Sequence, residues 1–238
     1  MYLVSGRGQT PAEDERCTQR VVELARNTSS PALRVWQPHR VVAFGRRDQH
    51  REGYDRAREH AREHDFTPVA RSVGGHAVAF TGNTVAFALA KPTDEMRSGI
   101  QERYEDATTT LVSALSTLSI EPTEGEPDGA FCPGTHSLSA RGKIAGLAQR
   151  VHRDVAVVSG IVVVCDHDEI AAVLDPLYAT LSIPFNPDSV GSIARAGGPD
   201  SSEAVCEAIQ EAFAPPTGQV DVTAESILHE NNSPADER

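Results

Sequence analysis

Lysine is nearly absent from this chain: Lys91 and Lys143 are the only two, against twenty arginines. Other absences narrow the field. No stretch approaches the ~20 apolar residues of a membrane helix, and no charged-then-apolar leader opens the sequence. A soluble, cytoplasmic protein that does not meet a membrane is therefore expected. No basic tract offsets a formal charge of −12 and a pI near 5.2, which argues against nucleic acid as the main partner. No CxxC pair occurs; Cys17, Cys132, Cys165 and Cys206 are widely scattered, as suits reduced thiols rather than a disulfide scaffold. No GxGxxG follows a first strand, which speaks against a dinucleotide-binding domain. Acidity with scarce lysine fits an acidic, high-salt proteome, although GC-rich coding would also favour arginine.

What is present alternates between helical and strand patterns. Thr10–Asn27 reads as a helix, with acids early and Val21, Val22, Leu24 and Ala25 behind. Ala32–Trp36 and Arg40–Gly45 read as short strands around a Pro38 turn, Tyr54–His64 as a charged helix and Thr67–Arg71 as a strand. Strands follow at Ala77–Phe80 and Val85–Ala90, and a long helix at Met96–Leu118. Glu121–Asp128 reads as an acidic loop. His136–Ala140 and Ile144–Val151 look like hairpin arms turning at Arg141-Gly142, and Val155–Cys165 is apolar throughout, as in a buried central strand. Helices are expected at Asp168–Leu174 and Ser202–Phe213. These elements imply an α/β (α+β) domain, helices covering a mixed sheet, over residues 1–213. Residues 214–238 are expected to be an acidic, disordered tail.

Two loops carry candidate chemistry. In Arg71-Ser72-Val73-Gly74-Gly75-His76, adjacent glycines let backbone approach a ligand, or simply make a tight connection. In Gly129-Ala130-Phe131-Cys132-Pro133-Gly134 the cysteine lies in a loop, unlike the other three, which have core-like settings. A loop thiol becomes a nucleophile when its thiolate is favoured, and His136 and Lys143 are the nearby candidates. Lys143 sits between Gly142 and Gly146. A chain that otherwise uses arginine gains from lysine a compact ammonium on a thin stem, though an ordinary hairpin turn would also account for it. His60 and His64 are four apart on a helix among Arg58, Glu59, Arg62 and Glu63, a solvated charged face rather than a metal site.

Three segments in order carry a family resemblance: Arg71-Ser72-x-Gly74-Gly75-x-Ala77-Val78, then Gly82-Asn83, then Gly142-Lys143-Ile144-Ala145-Gly146-x-Ala148-Gln149-Arg150. With the upstream Val41–Arg46 strand, they resemble the biotin/lipoate A/B protein ligase family, over roughly Leu33 to Val164. The resemblance implies a central mixed sheet flanked by helices, of the class II synthetase and biotin-ligase kind. It also implies attachment of a lipoyl, octanoyl or biotinyl group to a lysine of a carrier domain. Lipoate-protein ligase A usually has a third glycine where His76 stands, a His-Asp pair where Phe80-Thr81 stand, and an extra C-terminal domain for which no room remains after Phe213. The octanoyl-amidotransferase branch tolerates another residue at the third glycine and carries a cysteine loop resembling Phe131–Gly134.

The resemblance therefore favours a transferase in which Cys132 takes an octanoyl or lipoyl group as a thioester and Lys143 stabilises the oxyanion. The acyl group would lie among Arg71, Ser72, Gly74, Gly75, His76, Val78, Gly142 and Gly146, with His136 possible beside the thiol. Partners would be lipoyl-domain carriers, namely the glycine cleavage H protein and E2 subunits of 2-oxoacid dehydrogenases. No nucleotide or metal is needed on that route. In the alternative, an ATP-dependent ligase, Lys143 would bridge carboxylate and α-phosphate, Mg²⁺ would be required and Cys132 would be incidental. A non-catalytic carrier-binding relative is the third reading, which retention of both Cys132 and Lys143 disfavours.

Overall fold

The structure is a computed structural model that describes residues 1–71, 74–94, 98–214 and 217–229. In chain order it runs β1 (Tyr2–Ser5), α1 (Pro11–Thr28), β2 (Ala32–Trp36), β3 (Val41–Phe44), α2 (Tyr54–Glu63), β4 (Thr67–Ala70), β5 (Val78–Phe80) and β6 (Val85–Pro92). Then follow α3 (Ile100–Thr117), β7 (Thr123–Glu124), β8 (Ser137–Ser139), β9 (Lys143–His152), β10 (Val155–Val162), α4 (His167–Thr180), α5 (Ile193–Ala196), α6 (Ser202–Phe213), β11 (Val220–Thr223) and α7 (Ala224–His229). Helix α1 begins where the sequence signals it: the Thr10 hydroxyl accepts from the Glu13 N–H at 3.2 Å, Pro11 occupies the first turn, and Glu13 and Asp14 face the helix's positive end.

Eight strands form one sheet in the order β11-β1-β2-β6-β10-β9-β8-β7, and a smaller sheet is ordered β4-β3-β5. Strand β1 is parallel to both β2 and β11, whereas β2, β6, β10 and β9 pair antiparallel, so the large sheet is mixed. One face packs Leu33, Val35, Val85, Phe87, Leu89 and Val158 against α3 and α6. The opposite face is covered towards one end by α1 and α7 and towards the other by the small sheet with α2 and α4.

The expected tail is corrected in part. Residues 217–229 hold β11 and α7, because Val220-Asp221-Val222-Thr223 alternates as an edge strand does and registers with Tyr2–Ser5. Ala224 and Ile227 are then buried against α1. Residues 215, 216 and 230–238 lie outside the described residues, as does Met96, where the long helix was expected to start; the helix begins at Ile100. None of the described helices is long and apolar enough to cross a membrane.

The two sheets do not close on each other completely. On the face towards the small sheet, Ala86 lies between Trp36 and Ile161, and Ala88 between Arg34 and Ser159; Ser159 in turn pairs with Ala148, and Ile161 with Gly146. This run of small side chains leaves a cavity of about 610 Å³ between the large sheet, the small sheet and the first turns of α1. Its wall is mainly apolar, including Val41, Ala43, Val78 and Phe80, and Phe131, Cys132, Lys143 and Arg71 come together on it.

Candidate active site

Cys132 stands in the long connection between β7 and β8, with a left-handed backbone (φ +40°). A non-glycine residue there carries strain of roughly 1–2 kcal/mol, so the neighbours must hold it. Its N–H donates to the Tyr178 hydroxyl of α4 at 2.8 Å, and that hydroxyl donates onward to the Ala77 carbonyl at 2.8 Å. Burial drives the Tyr178 phenol well above its usual range, so it remains a proton donor. The cysteine's own carbonyl and that of Phe131 each accept from Lys143 Nζ at 3.0 Å.

Lys143 is the first residue of β9 and is 2 % exposed. Its ammonium makes a third bond, to Glu126 Oε2 at 2.7 Å. Glu126 also accepts from the Gly134 N–H at 2.9 Å and the Ser137 hydroxyl at 2.8 Å. One carboxylate thus ties together the start, middle and end of the segment that carries Cys132. An ammonium has three N–H groups, and all three are engaged by the protein. The expectation that Lys143 faces an acyl carbonyl therefore meets a site where its hydrogens already serve the cysteine loop.

The sulfur meets the other expected loop. Arg71 follows β4 directly and its Nη2 donates to the His76 carbonyl at 2.7 Å and to Cys132 Sγ at 3.4 Å. Gly75 (φ +83°) lies against the same atoms: a Cβ there would be 2.7 Å from Sγ and 3.2 Å from Nη2. Positive φ and close approach both require glycine at this position. Gly75 therefore borders the thiol itself, while nothing stands within 4 Å of where a Cβ of Gly74 would be. His76 is turned to Asp48, Nδ1 to Oδ1 at 2.8 Å, and Asp48 also accepts from the Gly45 N–H at 3.2 Å.

The remaining expected residues divide. Val78 and Gly146 line the cavity. Gly142 (φ +116°) turns the β8–β9 hairpin and packs on the Gly191 backbone, where a Cβ would be 2.6 Å from Gly191 N, so its role is the hairpin's seat on the protein. His136 stacks on Tyr104 of α3, rings 3.7 Å apart and nearly parallel, and is not among the cavity's walls. Ser72 lies outside the described residues. Phe80 adds apolar wall. His60 pairs with Glu63 on the surface, and no group of three or more metal-ligating side chains occurs among the described residues.

Glu126, Tyr178 and Asp48 join the site without a mark in the sequence. Glu126 sits in a segment read only as an acidic loop, and Tyr178 is 46 residues from the cysteine it holds; neither has a local spacing that marks it. Also unforeseen is a buried cluster at the cavity's α1 side. Arg34, fully buried in β2, donates to the Asp14 carboxylate at 2.6 Å, to the Asp14 carbonyl at 2.8 Å and to Thr18 Oγ1 at 2.9 Å, with its guanidinium 4.0 Å over the Trp36 ring.

The fold, a large mixed sheet with a second small sheet and flanking helices, is shared with solved lipoate-protein ligases. A structure of lipoate-protein ligase A bound with ATP superposes with a TM-score of 0.73 at 18% identity, covering 96% of this chain and 92% of that one. A bi-partite lipoate protein ligase from Thermoplasma acidophilum, solved in a study with its E2 lipoyl domain, gives 0.64 at 17% identity, covering 96% and 90%. The chain belongs to the lipoyl protein ligase A/B catalytic domain family, whose model matches residues 11–214. Among curated relatives, an octanoyl-[GcvH]:protein N-octanoyltransferase of Geobacillus kaustophilus is 29% identical over 139 residues, 58% of this chain and 48% of that protein. A protein of the same name from Exiguobacterium sibiricum is 32% identical over 128 residues, 52% and 45%. A lipoyl-[GcvH]:protein N-lipoyltransferase of Listeria monocytogenes is 24% identical over 143 residues, 58% and 49%. The matched segment thus spans about half the length of these relatives.

Proposed function

We propose that this chain is a cysteine-dependent acyltransferase that moves an octanoyl or lipoyl group from a lipoyl-domain carrier onto a lysine of another. The observation that carries the reading is Cys132: a strained loop thiol held by Tyr178 and Lys143 at the wall of an apolar cavity, with a guanidinium on its sulfur. The relatives' names support octanoyl-GcvH, the glycine cleavage H protein carrying the group, as the donor. E2 subunits of 2-oxoacid dehydrogenases are the acceptors that the resemblance implies. Four free thiols among the described residues suit the reducing cytoplasm in which such a nucleophile would work.

The reaction proceeds in two balanced halves. Cys132 Sγ attacks the carbonyl carbon of the octanoyl-lysine amide; the C–N bond breaks, the thiol proton leaves with the lysine amine, and a thioester remains. A neutral lysine amine of the acceptor then attacks the thioester; the C–S bond breaks and its surplus proton restores the thiol. The acyl chain lies along the floor of Ala86, Ala88 and Gly146, against Val78 and Phe80. No nucleotide is consumed, because an amide is exchanged for an amide through a thioester. ATP and Mg²⁺ belong to the ligase alternative, in which a free acid must first be activated.

The test is a transfer assay from octanoylated H protein to an E2 lipoyl domain, run without nucleotide. Transfer by the wild type, abolished in Cys132→Ser, is the expected result. Transfer only from free octanoate or lipoate with ATP and Mg²⁺, unchanged in Cys132→Ser, would establish the ligase instead. Carrier binding without either reaction would leave a binding module.

A further inference from the structure

An acyl carbonyl attacked by a thiol becomes an oxyanion that needs a donor, and among the described residues the donors of the Cys132 segment can be counted. Its own N–H is bonded to Tyr178, Pro133 has none, and the Gly134 N–H is bonded to Glu126. The three hydrogens of Lys143 go to Glu126, Phe131 and Cys132, inside a site where the lysine is 2 % exposed. Redirecting one of them to a substrate would leave a buried acceptor without its partner, which is costly.

Arg71 is in the opposite condition. Among the described residues it is the one donor on Cys132 Sγ, at 3.4 Å. Only Nη2 has protein partners there, Nε is buried with none, and no carboxylate of a described residue lies within ion-pair distance of the guanidinium. Elsewhere in this acidic chain Arg26, Arg34, Arg40 and Arg56 all have acid partners. The fork is fixed in place by the His76 carbonyl, His76 by the fully buried Asp48, and Gly75 leaves the space through which guanidinium and sulfur touch.

Resting on the transferase reading, we infer that Arg71 is the catalytic cation that meets the oxyanion formed at Cys132, while Lys143, with Glu126, is a positioning residue for the cysteine loop. As the Sγ–C bond forms, the carbonyl electron pair moves onto oxygen and an Arg71 N–H donates to it. The guanidinium keeps its protons throughout; collapse of the adduct returns the pair to the carbonyl and expels the lysine amine, which takes the thiol proton. Planar, multiply donating and always charged, arginine can bind sulfur and oxygen of one adduct together.

The experiment is single-turnover acylation of the full chain by octanoylated H protein, without nucleotide, read as acyl-Cys132 by rapid quench and intact mass. Arg71→Met is expected to acylate about 10²–10³-fold more slowly, the loss typical of one oxyanion donor. Its half-saturating donor concentration should stay within about threefold of the wild type, and added guanidinium chloride at millimolar, non-denaturing concentration should restore part of the rate. Arg71→Lys, which keeps charge but loses the fork, should fall between the two and guards against a folding defect in the methionine variant. An Arg71→Met protein that acylates at the wild-type rate, or loses only donor affinity, overturns the inference while leaving the transferase reading intact. A wild type that forms no thioester overturns both.

Discussion

Cys132, Cys165 and Cys206 are all half-buried and Cys17 is fully buried, so Cys132 is set apart from Cys165 and Cys206 by its surroundings. Burial raises the Cys17 thiol; burial, then Asp166, pushes Cys165 up to about 11, and burial with Glu203 and Glu207 pushes Cys206 up to about 12. At pH 7.5 those three stay protonated and inert, so iodoacetamide at limiting concentration is expected to modify Cys132 alone, as peptide mapping would show; labelling of Cys165 or Cys206 at a comparable rate would contradict this. Gly75 gives a second residue-level prediction. Gly75→Ala places a methyl 2.7 Å from Sγ in a left-handed backbone, so transfer should fall by more than about tenfold while the chain stays folded, a stability loss of ~1–2 kcal/mol. Full activity in that variant would mean the loop does not touch the thiol. At this scale the sequence was legible where a residue type was unusual for its setting, a cysteine in a Pro-Gly loop and a lysine in an arginine-rich chain. It was silent on Glu126 and Tyr178, because a carboxylate in an acidic loop and a phenol in a helix become partners of Cys132 only after distant segments meet.

Among the elements, the β8–β9 hairpin and α1 carry the site's geometry. The hairpin delivers Lys143 to three acceptors arranged around one nitrogen. A guanidinium is planar and wider than an ammonium, so Lys143→Arg is expected to be nearly as damaging as Lys143→Ala, each lowering transfer by about 10²-fold or more and stability by ~1–3 kcal/mol from the unmet buried acceptors. Wild-type activity in Lys143→Arg would show that charge alone suffices. Helix α1 is pinned to β2 by the buried Arg34–Asp14 pair. Arg34→Met removes the buried cation from Asp14, which keeps only the Gly8 N–H at 2.8 Å and His39 at 3.7 Å, and should cost roughly 3–5 kcal/mol in urea unfolding; a loss under ~1 kcal/mol would mean that the pair is dispensable. Most elements were readable from periodicity: β2 and α6 fall where the pattern places them, and the long apolar run is the central strand β10. Strands β1 and β11 were not assigned; β11 is the edge strand and β1 lies between it and β2, so their place depends on a pairing of Tyr2–Ser5 with Val220–Thr223 across the chain.

For the whole molecule, the architecture explains how a small fold makes room for an acyl chain: a second sheet lies over the first, and beneath it Ala86, Ala88, Ala148 and Gly146 keep the floor low. Strand β11 and helix α7 lie outside that arrangement, and none of their residues lines the cavity. Truncation after residue 214 should therefore lower stability by about 2–4 kcal/mol, from the lost burial of Ala224 and Ile227 and their surroundings, yet retain transfer at temperatures where the shortened chain is folded. Whether Cys132 is a covalent acyl carrier is decided by incubating the chain with octanoylated H protein in the absence of nucleotide, quenching in acid and measuring the intact mass. One octanoyl group, mapped to Cys132 and released by neutral hydroxylamine, is expected. No adduct on Cys132 under these conditions, together with formation of an acyl-adenylate once ATP, Mg²⁺ and the free acid are supplied, would contradict it.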